Sequence, residues 1–147
     1  MKLSHYCSSL PILVNSQRKG VSQFGVVVTT RQLPCLNELY SLFYKNKVKF
    51  IPENIYSLLT PLAIAHWIKG DGAALNKGLV LCTDSFTLKE VYLLQDVLKK
   101  QFNLNSTIQG YNNNRPRIYI FPESMSKLVY LVKPYMLSSM LYKLHLI

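Results

Sequence analysis

Asp71 is the residue whose type and position most directly suggest chemistry. It stands between two glycines, at the predicted end of an apolar helix over residues 60–70. A carboxylate at a helix C-terminus faces the negative end of the helix dipole, which costs roughly 0.3–1 kcal/mol. The residues alone are compatible with two explanations. Asp71 is either a solvated residue of an Asp-Gly turn or a carboxylate whose charge a metal ion stabilises.

The helix that precedes Asp71 is predicted to be buried. Thr60 is a favourable N-cap, and Pro61 fits the first helical position, where no backbone N–H is needed. His66 is the only polar side chain over residues 62–68, and a helix that is apolar on nearly every side is usually buried. Its small residues would allow a second helix to approach closely. The expected helix-helix interface consists of Leu62, Ala63, Ala65, His66 and Ile68.

The composition favours a nucleic-acid partner. The chain of 147 residues has 17 Lys and Arg against seven Asp and Glu, which gives a net charge of +10. Such an excess favours polyanions, because phosphates release condensed counterions when Lys and Arg neutralise them. The three widely spaced cysteines indicate neither a zinc site nor a disulfide framework. No apolar run reaches the roughly 18–20 residues of a membrane span, so no membrane partner is expected, and the N-terminus does not resemble a signal peptide.

The order of predicted elements indicates an internal repeat. From residue 60 onward it reads helix, strand, strand, helix, strand, strand, helix. Residues 1–59 supply only the last four of these elements, beginning with the tail of a helix over 2–9. Thr87 and Glu90 form a capping box at the start of the clearest helix, and Ser124 is predicted to cap the next one. We therefore predict an α+β protein with a partial unit over 1–59 and a complete unit over 60–147.

The predicted strands carry polar residues at alternate positions, as in an antiparallel sheet with one exposed face. That face is either simply solvated or part of a ribbon that enters the major groove of DNA, where Arg reads guanine and Gln reads adenine. The charge favours the second interpretation, and basic turns would then contact phosphates. The candidate DNA-binding residues are Arg18, Lys19, Gln23, Arg31, Thr83, Ser85, Gln109, Tyr111, Asn113, Arg115, Arg117 and Tyr119.

Residues 59–72 carry a family resemblance. Their sequence, Leu-Thr-Pro-Leu-Ala-Ile-Ala-His-Trp-Ile-Lys-Gly-Asp-Gly, resembles the second signature helix of the LAGLIDADG homing endonucleases, in particular of members encoded in introns of fungal mitochondrial genes. Other stretches with the same resemblance follow in family order and cover nearly the whole chain. They are residues 33–40, 51–55, 82–86, 116–120, 133–136 and 138–143.

The resemblance implies a pair of αββαββα units, each with a saddle-shaped antiparallel sheet, about a pseudo-two-fold axis. It implies a site-specific endonuclease that cuts both strands of DNA, with Mg²⁺ or another divalent cation held by the acids that end the two signature helices. Asp71 would be one of these acids, with the backbone of Gly70 near the metal. Lys49 and Lys143 would be the basic catalytic residues near the scissile phosphates. The resemblance also implies a mitochondrial location.

The chain departs from the family pattern at several points. His66 stands at a position where the family commonly has glycine, and Lys69 replaces an acidic or neutral residue. The first signature helix has no counterpart before Lys2. The chain is therefore expected to lack full activity unless a second copy of it, or a complementary fragment, supplies the second acid. The alternatives are an intron RNA maturase and a nucleic-acid-binding remnant without catalytic activity.

Overall fold

The computed structural model describes residues 4–110 and 115–146, without the side chain of Arg18. Tyr111 and Asn113, two candidate DNA-binding residues, lie outside the described residues. The chain forms two compact units, Met1–Leu42 and Phe43–Ile147. Among the described residues, the first unit has one two-stranded sheet, and the second has a two-stranded and a four-stranded sheet. Residues 43–59 belong to the second unit by their contacts, whereas the repeat in the sequence groups them with the first.

The first unit is built on a β-hairpin. A 3₁₀ helix over Ser4–Tyr6 precedes strands β1 (Ile12–Arg18) and β2 (Val21–Val27), which pair antiparallel. Helix α1 (Leu36–Phe43) follows and ends on the first residue of the second unit.

The N-terminal segment of this unit differs from the sequence prediction. Within the described residues the expected helix tail over 2–9 is a single 3₁₀ turn, because Cys7 instead forms a β-bridge with Thr30. Lys19 and Gly20, with φ of 52° and 77°, form the tight turn between β1 and β2, as hairpin twist requires. Cys7 is the only buried residue among the described side chains of residues 4–42.

The second unit contains the remaining elements in the predicted order. The two-residue strands β3 (Tyr44–Lys45) and β4 (Val48–Lys49) pair with each other. The helices are α2 (Ile55–Leu58), α3 (Pro61–Asp71), α4 (Leu88–Phe102) and α5 (Pro122–Val132). The strands are β5 (Gly72–Leu75), β6 (Gly78–Cys82), β7 (Ser106–Gln109) and β8 (Arg117–Ile120), in the antiparallel order β5-β6-β8-β7. After α5 come 3₁₀ helices over Lys133–Tyr135 and Ser138–Leu144. None of the described helices is long and apolar enough to cross a membrane.

The N-termini of α4 and α5 show how nearby residues determine where a helix begins. The capping box between Thr87 and Glu90 is present at α4, as predicted. The prediction that Ser124 caps α5 is wrong, because Pro122 takes the first helical position and Phe121 becomes the N-cap. Ser124 is buried instead, and its Oγ accepts a hydrogen bond of 2.8 Å from the backbone N–H of Asn105.

The sheet of the second unit has an inner and an outer face. The paired residues Leu81 and Ile118 are fully buried on the inner face, where α3 contributes Ile64 and Ile68 to the same core. The side chains of the neighbouring residues along each strand lie on the outer face. Because residues alternate in this way, the polar positions Gln109 and Arg117 share the outer face and stand opposite each other.

Candidate functional site

Asp71 is exposed at the last position of α3. The helix begins at Thr60, whose side chain accepts from the N–H of Ala63 at 3.2 Å. It ends at Gly72, whose N–H donates to the carbonyl of Ile68. A Cβ on Gly72 would lie 2.7 Å from that carbonyl oxygen, so only glycine fits there. Among the residues the structure describes, the carboxylate of Asp71 has no hydrogen-bond or salt-bridge partner, which leaves it available to a cation.

Lys143 lies at the same end of α3. Its ammonium donates to the carbonyl oxygens of Ile68 at 3.1 Å and Lys69 at 2.8 Å. A cation at a helix C-terminus stabilises the negative end of the dipole, which is the end where Asp71 adds a further negative charge. Two of the three N–H groups of Lys143 are used in this way, so one remains to donate to another acceptor.

Lys49 and Asp71, which are distant in sequence, line one cavity of about 390 Å³ in the second unit. The ammonium of Lys49 lies 5.1 Å from the centroid of the Phe86 ring, a cation–π distance. The indole N–H of Trp67 donates to the carbonyl of Cys82 at 3.4 Å and fixes one wall. Asp84, Ser85 and Thr83 also contribute to the lining, together with the apolar residues Phe43, Ile51, Ile55, Leu58, Leu59, Ala63 and Leu94.

Glu90 fixes the chain next to Lys49. Its carboxylate accepts from the backbone N–H of Ile51 at 2.9 Å, and from the N–H and hydroxyl of Thr87 at 2.7 and 2.6 Å. Burial alone would raise the pKa of Glu90, but these hydrogen bonds outweigh it and the pKa is lowered. The sequence identified Glu90 only as part of a cap. Its second role, attaching the segment after β4 to the start of α4, was missed.

The oxygen donors around Asp71 fit a hard divalent cation. Mg²⁺ keeps several waters and is usually held by one or two carboxylates together with substrate phosphates. Asp71 supplies one exposed carboxylate, and Asp84 lines the same cavity. Gly70 is exposed in the last turn of α3, and a Cβ there would meet nothing within 4 Å. Within the described residues no cluster of three His, Cys, Asp or Glu side chains exists.

The outer sheet face carries several of the candidate DNA-binding residues. Gln109, Arg115 and Arg117 line a groove of about 350 Å³ together with Leu75, Val80 and Gly110. Arg117 also forms a bidentate pair with Asp84, with Nε to Oδ1 at 3.1 Å and Nη2 to Oδ2 at 3.0 Å. The hydrogen bonds from Arg117 lower the pKa of Asp84, and the charges of Arg117 and Arg115 add to this effect against a smaller effect of burial.

Two other candidates on this sheet are not placed as expected. Thr83 is 1% exposed and its hydroxyl donates to the carbonyl of Pro116, so the prediction that it contacts DNA is corrected. Tyr119 lies on the outer face but is only 9% exposed, with its ring edge-on to Phe121. Ser85 is exposed in the loop after β6.

In the first unit, three candidates have described side chains. Lys19 lies exposed in the turn between β1 and β2, and Gln23 lies exposed on β2 opposite Ser16. Arg31 is exposed just after the bridge to Thr30, and its N–H donates to the carbonyl of Tyr6 at 2.7 Å. For Arg18 only the backbone is described, at the end of β1.

The residues of the expected helix-helix interface on α3 differ in burial. Ala65 and Ile68 are fully buried in the core of this chain, which corrects the expectation that they face a second helix. Leu62 and His66 are exposed, one helical turn apart. Ala63 is half-buried and lines the cavity beside Asp71. The sheet and α5 bury one face of α3. The nearly continuous apolar sequence of the helix does not show which face that is.

Comparison with known proteins identifies a family and several relatives of the chain. A model of the LAGLIDADG DNA endonuclease family matches residues 1–128. The chain is 36% identical over 149 residues to the cytochrome b mRNA maturase bI2 of Saccharomyces cerevisiae, covering 95% of this chain and 35% of that protein. It is 43% identical over 108 residues to the intron-encoded endonuclease ai4 of Dictyostelium discoideum, covering 72% and 68% of the two chains.

A solved structure extends this similarity to the fold. The homing endonuclease I-WcaI bound to its DNA recognition sequence matches with a TM-score of 0.87 and 30% identity, over 97% of this chain and 66% of that one. The chain thus spans about a third of the yeast maturase and about two thirds of the solved endonuclease. The predicted α+β fold with antiparallel sheets is confirmed. By its family match and by its fold, the chain belongs to the LAGLIDADG DNA endonuclease family.

Proposed function

We propose that the chain acts as a site-specific double-strand DNA endonuclease, in which Asp71 holds a divalent cation such as Mg²⁺. The observation that carries this proposal is the exposed carboxylate of Asp71, on one cavity with Lys49 and at the helix end that Lys143 occupies. When bound, the cation would supply charge stabilisation for in-line attack of water on a phosphodiester.

The roles of the chain's own residues follow from their positions. Lys49 stands at the cavity wall with a positive charge that would stabilise the negative phosphate. Lys143 has one N–H left after bonding the end of α3, and this N–H would orient a water or a phosphate oxygen. Gly70 would leave the helix end open to the cation, because no side chain covers it.

DNA would lie against the outer sheet face. The net charge of +10 and the groove around Gln109, Arg115 and Arg117 support this orientation. In the second unit Ser85 is also exposed and would add a contact. In the first unit the exposed candidates Lys19, Gln23 and Arg31 would make DNA contacts of their own. The solved relative carries DNA in its structure, which supports double-stranded DNA as the partner.

A second signature helix is needed for the second acid. The exposed side of α3, with Leu62, His66 and Gly70, would receive it from a second copy of the chain or from a complementary fragment. The similarity to intron-encoded proteins, cytochrome b maturase among them, supports a mitochondrial site of action.

Cleavage of a supercoiled plasmid tests the proposal, with the plasmid carrying the sequence that the chain selects from a randomised DNA library. We expect Mg²⁺-dependent cutting by the wild type, and loss of at least about 100-fold in Asp71→Asn, since a metal-holding carboxylate is removed. Asp96→Asn is the matched control. Asp96 is an acid on α4 paired with Lys100 at 2.8 Å, so its substitution removes the same charge elsewhere. Cutting that survives Asp71→Asn would contradict the assigned role.

A maturase function is the alternative, because the yeast relative carries that name. Here the chain would bind its intron RNA without cutting DNA. RNA binding that is unchanged by Asp71→Asn and by the removal of Mg²⁺, together with no plasmid cleavage in any condition, would favour this alternative over the endonuclease.

A further inference from the structure

The salt bridge between Asp84 and Arg117 connects the cavity beside Asp71 with the groove on the outer sheet face. Asp84 lines the cavity that holds Asp71, whereas Arg117 lines the groove on the outer sheet face. The pair is bidentate, and the two side chains remain 40% and 41% exposed. A bound DNA that covers the groove would therefore meet this pair close to the cavity.

The carboxylate uses only one edge of the guanidinium. It accepts from Nε and Nη2, which form the side-on edge. Arginine has five N–H donors in a planar fork. The end-on edge, formed by Nη1 and the second hydrogen of Nη2, is left for another ligand with two adjacent acceptors. Guanine presents such a pair, O6 and N7, in the major groove.

The carboxylate also fixes the direction of that free edge. A guanidinium bonded side-on loses most of its rotamer freedom before a ligand arrives, so binding costs less entropy than for a free arginine. The strand holds the other end of the side chain, because Arg117 is paired with Cys82 on one side and Gln109 on the other.

We propose that Asp84 and Arg117 form a preformed unit that reads one guanine in the DNA bound to the outer sheet face, with Asp84 as its positioning residue. The inference rests on the proposed DNA binding and adds to it the base that is read and the residue that sets specificity. Arg117 contacts the base, and Asp84 acts through Arg117.

Selection from a randomised double-stranded DNA library tests the unit, with the full chain and without divalent cation so that no DNA is cut. We expect the wild type to select guanine at one position that Arg117→Met no longer selects, since methionine has no N–H to donate to O6 and N7 of the base. In Asp84→Asn the preference for guanine at that position should fall about tenfold, with other positions unchanged. Asp96→Asn removes the same charge and the ion pair to Lys100, and it should leave the whole profile unchanged.

The outcomes separate this inference from the proposed function. A wild type that binds no DNA overturns both. Wild-type binding with an unchanged guanine preference in Asp84→Asn overturns the unit alone. A uniform loss of affinity across all sequences in Arg117→Ala would show a phosphate contact and would also overturn it. Equal melting temperatures of Asp84→Asn and Asp96→Asn ensure that the comparison is between folded proteins.

Discussion

The ammonium of Lys143 lies 2.8 Å from the carbonyl oxygen of Lys69, a residue 74 positions earlier in the chain. This bond brings the last 3₁₀ helix to the end of α3, next to Asp71. A residue predicted from resemblance to act on phosphate thus also stabilises the helix that carries the candidate metal ligand.

Lys143→Met should lower the free energy of unfolding by about 1–3 kcal/mol, because two hydrogen bonds from a charged donor to carbonyls are lost. Lys133→Met removes an exposed lysine at the start of the preceding 3₁₀ helix and should change it by less than about 0.5 kcal/mol. Urea unfolding followed by circular dichroism measures both. Equal effects of the two substitutions would contradict the role of Lys143 at the helix end.

Glu90→Gln should lower the free energy of unfolding by about 1–2 kcal/mol at neutral pH, since the amide cannot accept all the hydrogen bonds of the carboxylate. The pKa of Glu90 is lowered from its ordinary 4.5 in the folded protein. Glu90 therefore contributes its full share of the folding stability above pH 4.5. This share is lost as the pH falls through the lowered pKa of Glu90 in the folded protein.

The wild type should thus lose more stability than Glu90→Gln as the pH falls below about 4.5, which urea unfolding at a series of pH values would show. Glu123→Gln provides the control, because Glu123 is exposed and accepts from the side-chain amide of Asn105 at 2.6 Å. Parallel pH curves for the wild type and Glu90→Gln would contradict the proposed anchoring of the segment next to Lys49.

Gly70→Ala and Gly72→Ala should have opposite effects on the single chain. A Cβ at Gly70 meets nothing within 4 Å, and alanine stabilises a helix by roughly 0.5–1 kcal/mol relative to glycine. At Gly72 the Cβ would lie 2.7 Å from the carbonyl oxygen of Ile68, so the melting temperature should fall.

Gly70→Ala also tests whether a second helix packs against α3. If a second helix packs closely on the exposed side of α3, Gly70→Ala should weaken association of copies, measured by analytical ultracentrifugation, although the single chain is no less stable. Association that is unaffected by Gly70→Ala would argue against close packing at this position.

The sequence alone predicted the features that depend on neighbours along the chain. Thr60 and Pro61 define the start of α3, and the capping box defines the start of α4, because each effect acts within one helical turn. The alternation of residues in β7 and β8 assigned Gln109 and Arg117 to one face, because side chains two residues apart in a strand point to the same side. Resemblance then gave the family, through stretches spread over nearly the whole chain.

The tertiary structure decided which of these residues meet. The contacts of Glu90 with Ile51, of Arg117 with Asp84 and of Lys143 with Ile68 join residues 39, 33 and 75 positions apart. Local periodicity contains no information about such distant partners. It also could not show that Thr83 is buried or that Ala65 faces the core of its own unit. Asp71 was identified from its place at a helix end, whereas its surroundings, with Lys49 on the same cavity and Lys143 at the same helix end, came only from the packing of the second unit.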